Sequence, residues 1–251
     1  MLLKLLGSEG DFTSKLLILL ISVFALLPAL TFHEWAHGFA AYKLGDNTAK
    51  ADGRLSLNPL DHIDPLGSLM MLLVGFGWAK PVPVNTRMFR KPKRDMAIVS
   101  AAGPLMNFIV GFVSALLWGL AVFLFQKNGM AMVVSYQGDF QIYYSSMVPL
   151  AIVTIFECSM LYNIGLGLFN LIPLPPLDGS NILMCLLPNH LAARYAQIRY
   201  YTRYIILGLI LCSYVPMLSF IPDLFWAPLN FLRTFFVENF ENFAGWIFGL
   251  F

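Results

Sequence analysis

The sequence predicts an all-α polytopic membrane protein, a helical bundle with a small membrane-associated β-element. Of its 251 residues, 58% are hydrophobic and only 12% are charged, about half the charged fraction of soluble domains. The mean hydropathy is +0.70, and several apolar segments reach the roughly 20 residues that a helix needs to cross a bilayer. No composition shift or linker divides the chain, so we expect one membrane-embedded domain over residues 1–251.

The apolar segments define the expected membrane helices. Spans are predicted at about residues 16–41, 96–125, 147–171 and 204–220. Residues 66–79 are apolar but too short to cross, which favours a re-entrant or interfacial element. The aromatic tail, residues 221–251, has room for one short span plus an interfacial helix.

The loop charges predict an orientation. If residues 66–79 enter the membrane and return, loops 42–95 and 173–203 lie on one side with nine and three Lys/Arg residues, against three on the other side. Positive loops favour the cytoplasm. We therefore expect an integral multi-pass protein of the cell membrane, its N-terminus outside and both loops inside. The basic stretch at residues 87–94 would anchor on anionic lipid.

Composition also excludes several classes of function. A net charge of +2 and the lack of a basic cluster interleaved with aromatics argue against a nucleic-acid partner. Three cysteines stand far apart without a CxxC pair, so neither a disulfide framework nor a thiolate zinc site is expected. No pattern bears on the oligomeric state.

Two histidines and a glutamate stand near the end of the first span. His33 and His37 are four residues apart and point the same way on a helix. With Glu34 between them, they match the HExxH spacing, in which two imidazoles bind Zn²⁺ and the glutamate acts as general base toward water. Ionisable groups inside a membrane helix are costly and mark functional sites. The alternative is that the HExxH spacing is a chance match in a water-soluble helix.

A catalytic zinc takes three protein ligands and keeps one position open. The candidates for the third ligand are His62, His190 and Asp178. Both histidines fall in predicted loops. Asp178 follows the proline-rich end of the third span, which runs in the same direction as the first, so it lies on the same side of the membrane as the histidine pair. The alternative for Asp178 is a turn or N-cap residue ahead of Gly179 and Ser180.

The combined motifs resemble the site-2 protease family of intramembrane zinc metalloproteases. They are HEWAH within a membrane helix, GPLMN at residues 103–107 and FNLIPLPPLDG at residues 169–179. The chain is similar to the compact branch without PDZ or CBS domains. The resemblance implies that His33, His37 and Asp178 bind one Zn²⁺ per chain and that Glu34 is the catalytic base.

The resemblance also implies the substrate and its contacts. It implies cleavage of a transmembrane protein and a role for Asn170 in holding the substrate or its oxyanion. The depth of the histidine pair below the cytoplasmic end of the first span predicts cleavage within the lipid bilayer or near its cytoplasmic side. The glycines and alternating Val/Pro residues of 75–84 would form the β-element, whose edge pairs with the unwound substrate by strand addition. The alternative for this segment is an interfacial loop.

Two stripes of small or polar residues follow single helix faces at steps of three and four, which allows close helix packing. They are Ser100, Gly103, Asn107, Gly111 and Ser114 on the second span, and Asn163, Gly167 and Asn170 on the third. Asn163 is expected to serve packing only.

Other functions compete with proteolysis. The first is a catalytically silent zinc-binding membrane scaffold that captures transmembrane helices, which predicts loss of the base, whereas Glu34 is intact. The second is the prenyl-peptide processing type of membrane metalloprotease, which resembles HExxH with a downstream glutamate ligand instead of Asp178. A transporter is disfavoured, because no matching broken helices occur in two halves.

Overall fold

The computed structural model is a bundle of long α-helices with one β-hairpin. It describes residues 12–74, 77–136, 139–198, 200–202, 204, 208, 212 and 220–250. In chain order the helices are α1 (Phe12–Lys43), α2 (Thr48–Ala51), α3 (Pro65–Val74), α4 (Pro92–Lys127), α5 (Met147–Leu171), α6 (Asp178–Leu186), α7 (Asn189–Gln197) and α8 (Phe220–Phe248). The hairpin consists of β1 (Ala131–Tyr136) and β2 (Asp139–Tyr144), and short 3-10 turns occupy Pro59–His62 and Thr86–Met88.

Helices α1, α4 and α5 are long and apolar enough to cross a membrane. Their apolar segments contain 29, 36 and 25 residues. At 1.5 Å per residue each exceeds the hydrocarbon core, about 30 Å thick. By contrast, α3 has 10 residues and reaches about 15 Å. The first three predicted spans and the short non-spanning element are therefore confirmed.

Buried hydrogen bonds fix how the spans align. On α1, His33 pairs with Asn107 of α4 while His37 pairs with Val99, so sequence numbers rise on one helix as they fall on the other. Helices α1 and α4 are therefore antiparallel.

Helix α5 is antiparallel to α4 in the same way. Asn107 pairs with Asn163, and Ser114 pairs with Ser159. Helices α1 and α5 consequently run in the same direction. The C-terminal ends of both, and the N-terminal end of α4, meet at one end of the bundle.

Small residues let α4 and α5 approach closely. A Cβ built on Gly167 would lie 3.2 Å from the Pro104 carbonyl oxygen, and one on Gly111 would lie 3.2 Å from Ile164. The five residues of the predicted α4 stripe are all buried. The stripe is thus the contact face of α4, and its short side chains bring the polar groups of three helices within hydrogen-bonding distance.

The small β-element exists but lies elsewhere than predicted. The two strands of the hairpin pair antiparallel to each other, and along the chain the hairpin connects α4 to α5. In the predicted segment, residues 77–85 contain no assigned strand, and Gly75 and Phe76 lie outside the described residues. Pro81 and Pro83 lack a backbone N–H, which removes two of the donors that a strand ladder uses.

The C-terminal part is only partly described. Most of the predicted fourth span, residues 204–220, lies outside the described residues. The tail forms one helix, α8, whose aromatic side chains pack against α4, as Phe236 does on Phe108 and Phe240 on Phe112. No second element interrupts it between Phe220 and Phe248.

The alignment of the spans yields a topology prediction. A reporter fused after Arg94 should be cytoplasmic and one fused after Lys127 should be external, because these residues mark opposite ends of α4 and the positive loops stay inside. Paired phosphatase and fluorescent-protein fusions in intact cells measure this directly. The reverse pattern would refute the assignment of sides.

Candidate metal centre

Three potential ligand atoms meet at one buried point between α1 and α6. His33 and His37 are 5% and 9% exposed, and their Nε2 atoms lie 3.0 Å apart. Asp178 Oδ2 lies 3.2 Å from each of those nitrogens. The structure therefore brings the three predicted ligands into one group whose ligand atoms all lie within 4.8 Å of one another.

The turn after α5 delivers Asp178 to this point. Helix α5 ends at Leu171, and the chain folds back so tightly that a Cβ on Gly179 would lie 2.2 Å from the Leu171 carbonyl oxygen. Only glycine fits there. Asp178 is the first residue of α6, and its side chain faces the histidines. Asn181, one turn later, donates to Ser100 Oγ at 2.9 Å and ties α6 to α4.

The histidine protons point away from the shared site. His33 Nδ1 lies 2.5 Å from Asn107 Oδ1, and His37 Nδ1 lies 2.7 Å from the Val99 carbonyl oxygen. Both partners are acceptors, so each Nδ1 must donate. Each Nε2 then presents a lone pair to the other and to Asp178, and this orientation by a second partner is typical of metal-binding histidines.

The arrangement fits a divalent metal. Asp178 Oδ2 is buried without a hydrogen-bond partner, and an orphaned buried acceptor is costly. Two imidazole nitrogens and a carboxylate oxygen form a donor set that zinc accepts.

Glu34 stands beside this group and contacts the segment formed by residues 77–85. Its Oε2 accepts a hydrogen bond from the Val82 backbone N–H at 2.9 Å. Val82 is itself 8% exposed, and its Cγ1 would lie 3.1 Å from a Cβ on Gly38. The segment therefore lies against the HExxH helix, although it is not a strand.

Further hydrogen bonds hold the same segment in place. Lys80 donates its N–H to the His62 carbonyl oxygen at 2.9 Å, and Arg54 donates to the Lys80 carbonyl oxygen at 2.8 Å. The Asn85 N–H donates to buried Asp46 at 2.6 Å. The segment is thus an anchored part of the site wall.

The remaining candidates are not members of the ligand group. Asn170 donates an amide hydrogen to the Leu166 carbonyl oxygen in its own helix, at 3.1 Å. His62 is buried with Nε2 2.8 Å from the Ser56 carbonyl oxygen, and His190 is exposed. Neither histidine joins the group formed by the three predicted ligands.

Sequence reasoning missed Gly103 and Asn163 as contributors to the site. A Cβ on Gly103 would lie 2.4 Å from His37 Nε2 and 2.7 Å from His33 Cε1, so glycine leaves room for both imidazoles. Asn163, expected to serve packing, hydrogen-bonds Asn107, which contacts His33. Both residues belonged to the predicted stripes, and the four-residue spacing of Gly103 and Asn107 was the available signal.

The close approach of both imidazoles to Gly103 gives a testable prediction. Gly103→Ala should weaken zinc binding about 10–100-fold, as disturbances around metal ligands do, because both imidazoles are pinned at Nδ1 and cannot retreat. Competition with a chromophoric chelator measures this. Gly165→Ala is the matched control, since its Cβ would meet Arg233 at an ordinary 3.9 Å. Equal affinity in the two variants would contradict the packing argument.

Comparison with known proteins finds a matching family and two relatives. Residues 21–211 match the model of peptidase family M50. The Bacillus subtilis (strain 168) protein named "Putative zinc metalloprotease YwhC" is 41% identical over 202 residues, which cover 78% of this chain and 85% of that protein.

A second relative is more distant. The Mycolicibacterium smegmatis (strain ATCC 700084 / mc(2)155) protein named "Putative zinc metalloprotease Rip2" is 32% identical over 108 residues, 41% of this chain and 40% of that protein. No solved structure gives a significant match. The family model covers well over half of the sequence and includes both the histidine pair and Asp178, so this chain belongs to peptidase family M50, the site-2 protease family.

Proposed function

We propose that this protein is an intramembrane zinc metalloprotease that hydrolyses peptide bonds in or near transmembrane segments of other membrane proteins. The observation that carries the proposal is the convergence of His33, His37 and Asp178 at a buried point within a bundle of membrane-length helices. Membership of family M50 supports it, as does the name of the Bacillus subtilis relative.

The ligand group would hold one zinc ion per chain through His33 Nε2, His37 Nε2 and Asp178 Oδ2. When bound, zinc supplies a Lewis acid that acidifies water and polarises a carbonyl oxygen. The three protein ligands would leave a fourth position open to water or substrate, as catalytic zinc sites require.

We propose that Glu34 moves the proton. Its carboxylate takes a proton from the attacking water as the new C–O bond forms, and then delivers that proton to the leaving amine nitrogen as the C–N bond breaks. Asn170 is our candidate for donating to the scissile carbonyl oxygen. One of its amide hydrogens is used within α5, and the second would serve the substrate.

The depth of the ligand group along the first span indicates that the cleaved bond lies in a transmembrane segment of the substrate. His37 and His33 lie about 7 and 13 Å inside the end of the first span near residue 42, at 1.5 Å per residue. We place this end on the cytoplasmic face of the cell membrane, because it carries the positive loops. A transmembrane helix keeps its carbonyls hydrogen-bonded internally, so the substrate must unwind locally before cleavage.

The zinc-binding scaffold is the less favoured reading. A capture protein has no need of a general base, whereas Glu34 is present and borders the ligand group. The processing type with a glutamate ligand is disfavoured by family membership, and a transporter by the same finding.

The first test separates metal binding from chemistry. Glu34→Gln should retain one zinc per chain, because the amide can still accept from the Val82 N–H and no ligand is touched. Proteolysis should fall about 10²–10⁴-fold, since the amide cannot take a proton. Metal analysis of purified protein gives the first quantity, and proteomics of membrane fractions from cells expressing each form gives the second.

His37→Ala is the complementary variant in this test and should lose zinc and activity together. An equal zinc content per chain in His37→Ala and in the unchanged protein would refute the ligand assignment. Retained cleavage in Glu34→Gln would refute the role of the base.

We further propose that residues Trp78 to Val84 receive the unwound substrate as an added strand beside the ligand group. The segment lies against Glu34, whose carboxylate accepts from the Val82 N–H. Backbone pairing tolerates many substrate sequences, because main-chain groups are common to every peptide.

Photocrosslinking tests where the substrate lies. A photoreactive amino acid at Trp78, which is 45% exposed, should capture membrane proteins in the Glu34→Gln background. Leu186, which is 77% exposed and lies outside the segment, is the matched control position. Capture at Leu186 without capture at Trp78 would exclude strand addition at this segment.

A further inference from the structure

Asn107 and Asn163 form a buried amide pair between α4 and α5. Both side chains are 0% exposed. Asn107 Nδ2 donates one hydrogen to the Ala29 carbonyl oxygen of α1 at 3.1 Å and the other to Asn163 Oδ1 at 2.9 Å. Both amide hydrogens are then used, so Asn107 Oδ1 remains as the acceptor that faces His33 Nδ1 at 2.5 Å.

The orientation of the Asn163 side-chain amide is fixed by a hydrogen bond within α5. Its Nδ2 donates to the Ser159 carbonyl oxygen of the same helix at 2.8 Å. If the amide were turned over, its own oxygen would face that carbonyl oxygen, and two acceptors would lie in contact. Asn163 Oδ1 is therefore held toward Asn107.

Asn107 donates to the Ala29 carbonyl oxygen and Asn163 to the Ser159 carbonyl oxygen. A backbone carbonyl can only accept, so neither partner can compensate if an amide turns over. If His33 carried its proton on Nε2, Nδ1 would need a donor and Asn107 would have to turn over. Its oxygen would then face the Ala29 carbonyl oxygen and Asn163 Oδ1. Turning Asn163 over as well would only transfer the conflict to Ser159. Unpaired polar groups at such buried positions are costly, so one proton arrangement is selected.

We propose that Asn163 is a positioning residue of the metal centre: by accepting from Asn107, it turns the Asn107 oxygen toward His33, which keeps the His33 proton on Nδ1 and leaves Nε2 free for the metal. This inference rests on the proposed zinc site and deepens it. Asn163 touches no ligand itself. It acts across two helix interfaces, through Asn107, on His33.

The test uses the purified full-length protein and zinc alone as the probe. Asn163→Leu keeps the volume and removes the acceptor, so only the Ala29 carbonyl oxygen still opposes the turning of Asn107. We expect zinc affinity, measured by chelator competition, to fall about 10–100-fold, and the visible spectrum of the cobalt-substituted protein to change as the imidazole loses its fixed orientation. Met160→Leu is the matched control, since Met160 is also fully buried on α5 and lies outside the amide pair.

A second measurement requires no variant. Histidine-labelled zinc-free protein, at a pH where the imidazoles are neutral, should show His33 as the Nδ1–H tautomer in ¹⁵N spectra, whereas the Nε2–H form would overturn the proposal. In Asn163→Leu the tautomers should mix. Weaker zinc binding with an unchanged His33 tautomer would also overturn the proposal, because it would reduce Asn163 to a packing role.

These outcomes are separable from the fate of the zinc site itself. If His37→Ala binds zinc as well as the unchanged protein, the metal assignment fails. If His37→Ala loses zinc while Asn163→Leu matches Met160→Leu in affinity, cobalt spectrum and tautomer, only the positioning role fails.

Discussion

Three acceptor atoms held within 3.2 Å of one another form an arrangement that repels itself unless a cation lies among them. The rest of the bundle holds them there. Helix α1 supplies two of the atoms one turn apart, and the tight turn after α5 supplies the third. Polar contacts between helices set the angle of each imidazole. The fold thus maintains a locally unfavourable cluster, which is expected of a site built to bind metal.

Much of this site could be predicted from sequence because its elements are local. The spacing of His33 and His37 follows from helix periodicity, and the side on which Asp178 emerges follows from counting spans. The Asn163 contact with Asn107 is not local, since it depends on which faces of α4 and α5 meet. Spacing identified the stripes but could not distinguish a polar pair from simple packing.

The position of the β-element was predicted wrongly, and for a different reason. Residues 131–144 carry β-branched and aromatic residues on both sides of a glycine, which is a recognisable hairpin signal. The Val/Pro alternation within residues 75–84 predicted the strand because proline is tolerated at a sheet edge and because the family resemblance implied a membrane-dipping β-element. Two prolines remove donors from that segment, and hydrogen bonds to Arg54 and Glu34 hold it as an extended wall.

The tight turn that delivers Asp178 has a consequence for the integrity of the molecule. The two parts of the site come from the first membrane helix and from a turn far along the chain, so a metal held there would act as a crosslink between them. Metal binding to the native state alone adds to its stability. Scarcity of the ion would then loosen the bundle and silence the enzyme at once, coupling the lifetime of the protein to metal supply.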